Sequence, residues 1–326
     1  MKRTLLWLPA VLVFFVGCGG GSRGPTTPSS PAASTPSPSA PSSIPAGTVI
    51  TLVSGETDQP VAGASVTVTG VTQQTDGSGQ VALSGSASLN APFDIAAPGF
   101  LDRQTLLRAP TATRFTLWPR TSPTGLDESY TSTLVYTDVG GADVTPGAGA
   151  LLRLRPALQP FVLPSAEIRS DPAALAAHQE AINAIAGATQ GQLVYALVSE
   201  RPASGAVFET SVDASDNECT GGTRAYTAFT PRNNEISSGR IVFCSADVAR
   251  TSTVTHELGH TFGLQHSPDP RELMHAFFGR NRNASFSDRE ALTMRLMLQR
   301  RGGNRFPDND REATVSAGRA RTIICR

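Results

Sequence analysis

The sequence predicts a two-part protein: a small all-β sandwich followed by a larger α+β domain built on a mixed twisted sheet. Three observations lead there. Residues 47–118 hold roughly seven short runs of alternating apolar and polar residues, broken by turn residues and lacking helical periodicity. From residue 131 onward, helical runs precede and follow strand-like runs. The length of 326 residues, at roughly 150 per domain, allows about two domains. Composition sets a further bound. With 27 basic and 27 acidic side chains the formal net charge is zero, which argues against a nucleic-acid partner.

Residues 1–17 read as a secretory signal, with Lys2 and Arg3, an apolar run from Leu5 to Val16, and Gly17 at the cut. As a helix that run covers about 18 Å, too short for a bilayer core of ~30 Å. Phe15-Val16-Gly17-Cys18 resembles a bacterial lipobox, with Phe15 where Leu is usual. The resemblance implies that Cys18 is lipidated and opens the mature chain; an ordinary cleaved signal is the simpler alternative. Gly19, in place of Asp, implies the outer membrane by the lipoprotein sorting pattern. Residues 18–46 are dominated by Pro, Ser, Thr, Gly and Ala, which bury too little to offset their ordering entropy. This stretch is expected to be a disordered tether.

The expected strands of the first domain, 47–118, are Thr48–Ser54, Ala64–Thr69, Val71–Thr75, Gln80–Leu83, Ala91–Ala97, Leu101–Arg108 and Thr113–Trp118. Asp76-Gly77-Ser78-Gly79 is a strong turn signal between the third and fourth. The spacing of Gly and Val through PVAGASVTVTG, TDGSGQVAL and APGF resembles the carboxypeptidase regulatory-like, transthyretin-like family. That resemblance implies a spacer or binding module. No His or Cys falls between residues 47 and 118, so no catalysis is assigned there.

Residues 119–130 are expected as a linker, 131–303 as the second domain and 304–326 as a tail without clear periodicity. Asp171 is a suitable N-cap and Pro172 a suitable first residue for a helix running to Gly187. Strands are expected over Gln192–Ser199, Ala206–Val212, Arg224–Phe229 and Arg240–Cys244. Ser287 and Glu290 form a capping box for a closing helix whose Leu292 and Leu296 can pack beneath the preceding segment.

The chemistry concentrates in residues 256–266, His-Glu-Leu-Gly-His-Thr-Phe-Gly-Leu-Gln-His. His256 and His260, four apart on a helix, lie on one face and can reach one ion. Gly263 can take a left-handed conformation that turns the chain back, bringing His266 in as a third ligand. Three imidazoles leave the fourth tetrahedral position of Zn²⁺ for water, the arrangement of a catalytic site. Glu257 adjoins the first ligand and can face that water.

This spacing is identified as the extended zinc signature of the metzincin metallopeptidases, met at every fixed position. Met274 stands where the family places its Met-turn. Ser267 directly after the third histidine and the Leu273-Met274 pair resemble the matrixin branch. Residues 221–231 resemble the matrixin edge strand that pairs with an extended substrate, and 239–243 the strand after it. The resemblance therefore implies a metzincin-type catalytic domain with an active-site helix, Met-turn and C-terminal helix. It implies a zinc-dependent endopeptidase in which Glu257 is the general base towards a zinc-activated water, acting on peptide or protein substrates as a monomer. The alternative is a non-catalytic, surface-anchored binding lipoprotein with an inert metzincin-like scaffold.

Departures from the family sharpen the expectation. Tyr226 and Val242 replace histidines of the second, structural zinc, so one catalytic zinc is expected. His178 is expected to be exposed on its helix and His275 to be a neighbour of the site. No matrixin cysteine-switch propeptide sequence is present, so inhibition by a thiolate on zinc is not expected. By analogy, residues 276–280 would form a wall of the specificity pocket. Asp213, Asp216 and Glu218 could hold Ca²⁺, a solvated polar loop being the simpler reading. Of the cysteines left after Cys18, Cys219 and Cys244 flank the edge strand and form the expected disulfide, with Cys325 the alternative partner for either.

Overall fold

Alternating apolar residues build two sheets in the N-terminal part of the computed structural model, which describes residues 43–111, 113–137, 149–277, 283–311 and 320–326. Strand β1 (Val49–Ser54), β2 (Ser65–Val68), β3 (Val71–Gln74), β4 (Gln80–Ala82), β5 (Ala91–Ala96), β6 (Arg103–Leu107) and β7 (Arg114–Leu117) follow in order. One sheet runs β4-β1-β7, with β1 antiparallel to β4 and parallel to β7; the other is the antiparallel β3-β2-β5-β6. Both donate to one apolar core that includes Ile50, Leu52, Val66, Phe93, Ile95 and Leu117. The Asp76 turn closes as its composition suggests: Asp76 Oδ1 accepts from Ser78 N and Gln80 N, both at 2.9 Å. Ile44, expected in the tether, is buried in the same core. The expected signal, Cys18 and the rest of the tether lie outside the described residues.

Residues 119–130 fold against the second, larger core, which takes in Trp118, Leu126 and Tyr130. Asp127 caps helix α1 (Glu128–Val135) by accepting from Tyr130 N at 2.7 Å. Strand β8 (Pro160–Pro164) leads to helix α2 (Pro172–Ala188), whose N-cap Asp171 accepts from Ala173 N and Ala174 N. Next come β9 (Ala196–Leu197), β10 (Ala206–Val212), β11 (Ala225–Phe229), β12 (Ser238–Phe243), α3 (Thr253–Phe262), α4 (Asp288–Leu298) and β13 (Arg321–Cys325). Only two residues of the expected strand 192–199 are extended and paired.

The six-stranded sheet runs β9-β8-β10-β12-β11-β13. Its β9-β8-β10-β12 part is parallel, while β11 and β13 run antiparallel to their neighbours. The domain is thus a mixed α/β fold compatible with the metzincin type. Two expectations need correction. His178 is fully buried rather than exposed, because the small Ala side chains of α2 let the helix lie close to the sheet. Its Nδ1 is 2.8 Å from Ala174 O and its Nε2 2.9 Å from Thr210 Oγ1. The edge expected at β11 is also not open, since β13 pairs along all of it.

The segment after α4 packs back on the first sheets through polar groups. Arg300 and Asp308, both fully buried, pair at 2.7 Å, and Arg300 also donates to Thr116 O at 2.9 Å. Thr105 Oγ1 donates to Asp310 Oδ2 at 3.0 Å.

Candidate metal centre

Every residue of α3 is buried, so its imidazoles sit in a low-dielectric setting. The helix stops at Gly263, whose φ is +122°. A Cβ there would lie 2.2 Å from Leu152 O, so neither the backbone conformation nor the space admits a side chain. The chain then returns His266 to the helix face. Ring centroids of His256 and His260 are 4.7 Å apart, and His266 lies 5.5 and 4.9 Å from them.

Hydrogen bonds fix the tautomers of the first two rings. His256 Nδ1 is 2.6 Å from Leu273 O and His260 Nδ1 is 2.8 Å from Leu264 O. A carbonyl only accepts, so each Nδ1 carries the proton and each Nε2 presents a lone pair. The two Nε2 atoms are 3.1 Å apart. Two facing lone pairs at that distance repel unless a cation lies between them. Burial holds His260 well below the ordinary histidine range, aided by His266, and brings His266 down to about 4, aided by His275. Both are therefore neutral at neutral pH, as metal ligation requires.

A fourth donor joins them. Cys325 Sγ lies 3.0 Å from His256 Nε2, 3.5 Å from His266 Nε2 and 3.6 Å from His260 Nε2. Among the described residues, this is the one group of three or more donor side chains that converges on a point, all four donor atoms lying within 4.8 Å of one another. Tetrahedral Zn²⁺, with Zn–N ~2.0–2.1 Å and Zn–S ~2.3 Å, requires N–N and N–S separations of about 3.3 and 3.6 Å. The donor set fits zinc. Sequence reasoning missed Cys325 as a donor: it offered this residue only as an alternative disulfide partner and expected no thiolate inhibition, whereas the thiol stands among the three histidines. A five-residue strand after an aperiodic tail offers too little pattern to be read alone.

Glu257 is buried beside the cluster, and Thr227 Oγ1 donates to its Oε2 at 2.6 Å. Thr227 stands on β11, so the sheet positions the carboxylate. Below the helix, Met274 is fully buried, and a Cβ on Gly259 would come 2.5 Å from its Sδ. The turn that carries it is held by Ser267 N donating to Met274 O at 2.8 Å. Glu272 adds a buried anchor, accepting from Tyr130 Oη at 2.7 Å and Ser287 Oγ at 2.8 Å. The sequence carried no signal for the roles of Thr227 or Glu272.

Other expected residues fall elsewhere. Cys219 and Cys244 form a disulfide with Cα atoms 5.4 Å apart. Tyr226 donates to Asp216 at 2.8 Å, and the Arg240 guanidinium lies over its ring. Asp213 accepts from Ser215 N at 2.9 Å and Asp216 from Glu218 N at 3.0 Å. These carboxylates close their own turns, and with Glu218 they do not converge as an ion site, so calcium is left without support. His275 is half-buried and stacks near the exposed Phe277. Residues 278–280 of the expected pocket wall lie outside the described residues.

The family model of the matrixins matches residues 190–294, a span that contains β10 to β12, α3 and most of α4. The match supports a matrixin-like metallopeptidase domain, with zinc dependence and peptide or protein substrates in general. No curated protein matches the chain.

Proposed function

We propose that the chain is a zinc-dependent endopeptidase with Glu257 as general base. The observation that carries this reading is the convergence of three imidazoles beside a buried carboxylate held by the sheet. His256, His260 and His266 would hold the ion. When bound, zinc would supply Lewis-acid polarisation of the scissile carbonyl and a lowered pKa for the attacking water. Glu257 takes that water's proton and passes it to the leaving amine. Thr227 keeps Oε2 occupied, which fixes the orientation of the carboxylate. The outer backbone groups of β11, to which β13 is bonded, set the register of an extended chain.

The sequence of the N-terminus supports an exported protein tethered to the outer membrane through lipidated Cys18, the sheets of 47–118 serving as a spacer. Casein cleavage that chelator abolishes and zinc restores tests the peptidase reading. Glu257→Gln, made both in the native chain and with Cys325 replaced, should abolish cleavage yet retain about one zinc per chain. Undiminished cleavage by that variant overturns the role given to Glu257.

A further inference from the structure

We propose that the C-terminal strand β13 is a built-in inhibitor of the metal centre: Cys325 is a fourth zinc ligand and residues 321–325 occupy the peptide-binding edge of β11. The inference rests on the reading of the site as a peptidase centre. Three observations converge on it.

First, Cys325 is fully buried, is not in a disulfide, and places Sγ within 3.0–3.6 Å of all three Nε2 atoms. A thiolate is a soft, charged donor that competes well against water for zinc, and four protein ligands make a closed site. Second, the strand holds the whole edge of β11: Cys325 is opposite Ala225 and Arg321 opposite Phe229, in antiparallel register. Third, the chain is fastened on both sides of the cluster. Arg224 N donates to Cys325 O at 2.9 Å, and Arg326 N donates to Ala276 O at 3.0 Å. Ala276 is two residues beyond Met274, so the segment bridges the cleft from the sheet edge to the Met-turn.

Side-chain alternation fits this seat. Cys325 points to the metal cluster, and Ile323, two residues earlier on the same face, packs against the larger core. Because the strand is covalently attached, its effective concentration at the edge is on the order of millimolar, well above that of a dilute substrate. A substrate must displace both the ladder and the Cys325 sulfur. Inhibition is then relieved by any event that withdraws the strand, with no bond to the protein broken at the metal except the metal–sulfur one.

The test uses the full chain loaded with Co²⁺ or Zn²⁺, and Cys325→Ala beside the near-isosteric Cys325→Ser. In the cobalt protein we expect a thiolate-to-metal charge-transfer band that both variants lose while keeping one metal per chain. A peptide hydroxamate, which needs the metal and the β11 edge but no turnover, should bind at least tenfold tighter to the variants than to the parent. Casein cleavage should rise by at least the same factor. Absence of the band in the parent, its persistence in both variants, or equal hydroxamate binding would overturn the proposal. If band and binding behave as expected but no variant cleaves any peptide, the self-blocking strand stands and the peptidase reading falls.

Discussion

Glu290 Oε1 accepts a hydrogen bond from Met274 N at 2.8 Å, while its Oε2 accepts from Ser287 N at 2.7 Å. One carboxylate thus closes the capping box of α4 and pins the turn beneath the metal cluster. The capping role was legible in the Ser287–Glu290 spacing, but the second bond was not, because it depends on how α4 packs under the turn.

That carboxylate makes stability depend on pH. Burial raises Glu290 to about 7, from an ordinary value of 4.5. The folded state therefore holds this proton over a range where the unfolded state has released it. Its contribution to stability is complete below the unfolded value and is lost as pH rises through about 7. In metal-free protein, the difference in unfolding free energy between the parent and Glu290→Gln should shrink from pH 5 to pH 8, by up to about 3 kcal/mol. A difference that stays constant across that range would show that Glu290 titrates normally. Denaturant titrations at each pH provide the measurement.

Two helical glycines should respond to alanine in opposite directions. Gly187, near the end of α2, has nothing within 4 Å of the position an added methyl would take, so Gly187→Ala should stabilise by about 0.5–1 kcal/mol. At Gly259 the same methyl would meet Met274 Sδ at 2.5 Å, in a region where the sulfur is fully buried. Gly259→Ala should cost about 1–3 kcal/mol and weaken metal binding, because Met274 must shift under the histidines. Thermal unfolding of both variants, with and without metal, separates the two outcomes.

The metal centre was legible to the extent that its chemistry is local. His256, Glu257, His260 and Gly263 lie within one helix and its cap, so spacing alone fixes their relative geometry. Met274 follows close behind. Partners supplied by distant chain were not legible: Thr227 meets Glu257 across 30 residues and Cys325 meets His256 across 69. The same reason explains His178, whose Ala-rich helix looked solvent-facing until packing placed it against Thr210. Strand identity survived better than strand pairing, since alternation specifies β13 only weakly and says nothing of the β11 edge it fills.

Thr227 should act on rate through Glu257 rather than on substrate binding. Its hydroxyl is within 2.6 Å of Glu257 Oε2. Hydrogen bonds to charged groups are worth about 1.5–3 kcal/mol, so Thr227→Val should lower kcat roughly 10- to 100-fold with little change in KM. Thr227→Ser, which keeps the hydroxyl, should recover most of the rate. A matched loss in the Ser and Val variants would mean that the methyl group and strand packing, not the hydroxyl, support the site. Measuring both in the Cys325→Ala background keeps the C-terminal strand from masking the effect.

The buried Arg300–Asp308 pair gives the last test, because it braces the segment after α4, whose Arg300 also reaches Thr116 on the first sheets. Arg300 Nε and Nη2 each meet an Asp308 oxygen at 2.7 Å, and Nη1 donates to Thr116 Oγ1 at 2.9 Å. The guanidinium also lies 5.1 Å over the Trp118 ring. Removing one partner leaves an uncompensated charge or polar group without water, so Asp308→Asn should cost about 3–5 kcal/mol. Arg300→Met alone leaves Asp308 with Asn304 Nδ2 at 2.9 Å as a remaining donor, and should cost somewhat less. The double variant removes the mismatch and should be less damaging than the sum of the two by at least about 1.5 kcal/mol. Strict additivity in denaturant unfolding would mean that the two side chains contribute through their separate contacts with Thr116, Trp118 and Asn304. A positive coupling would instead show that the two side chains stabilise the segment through the ion pair they form within it.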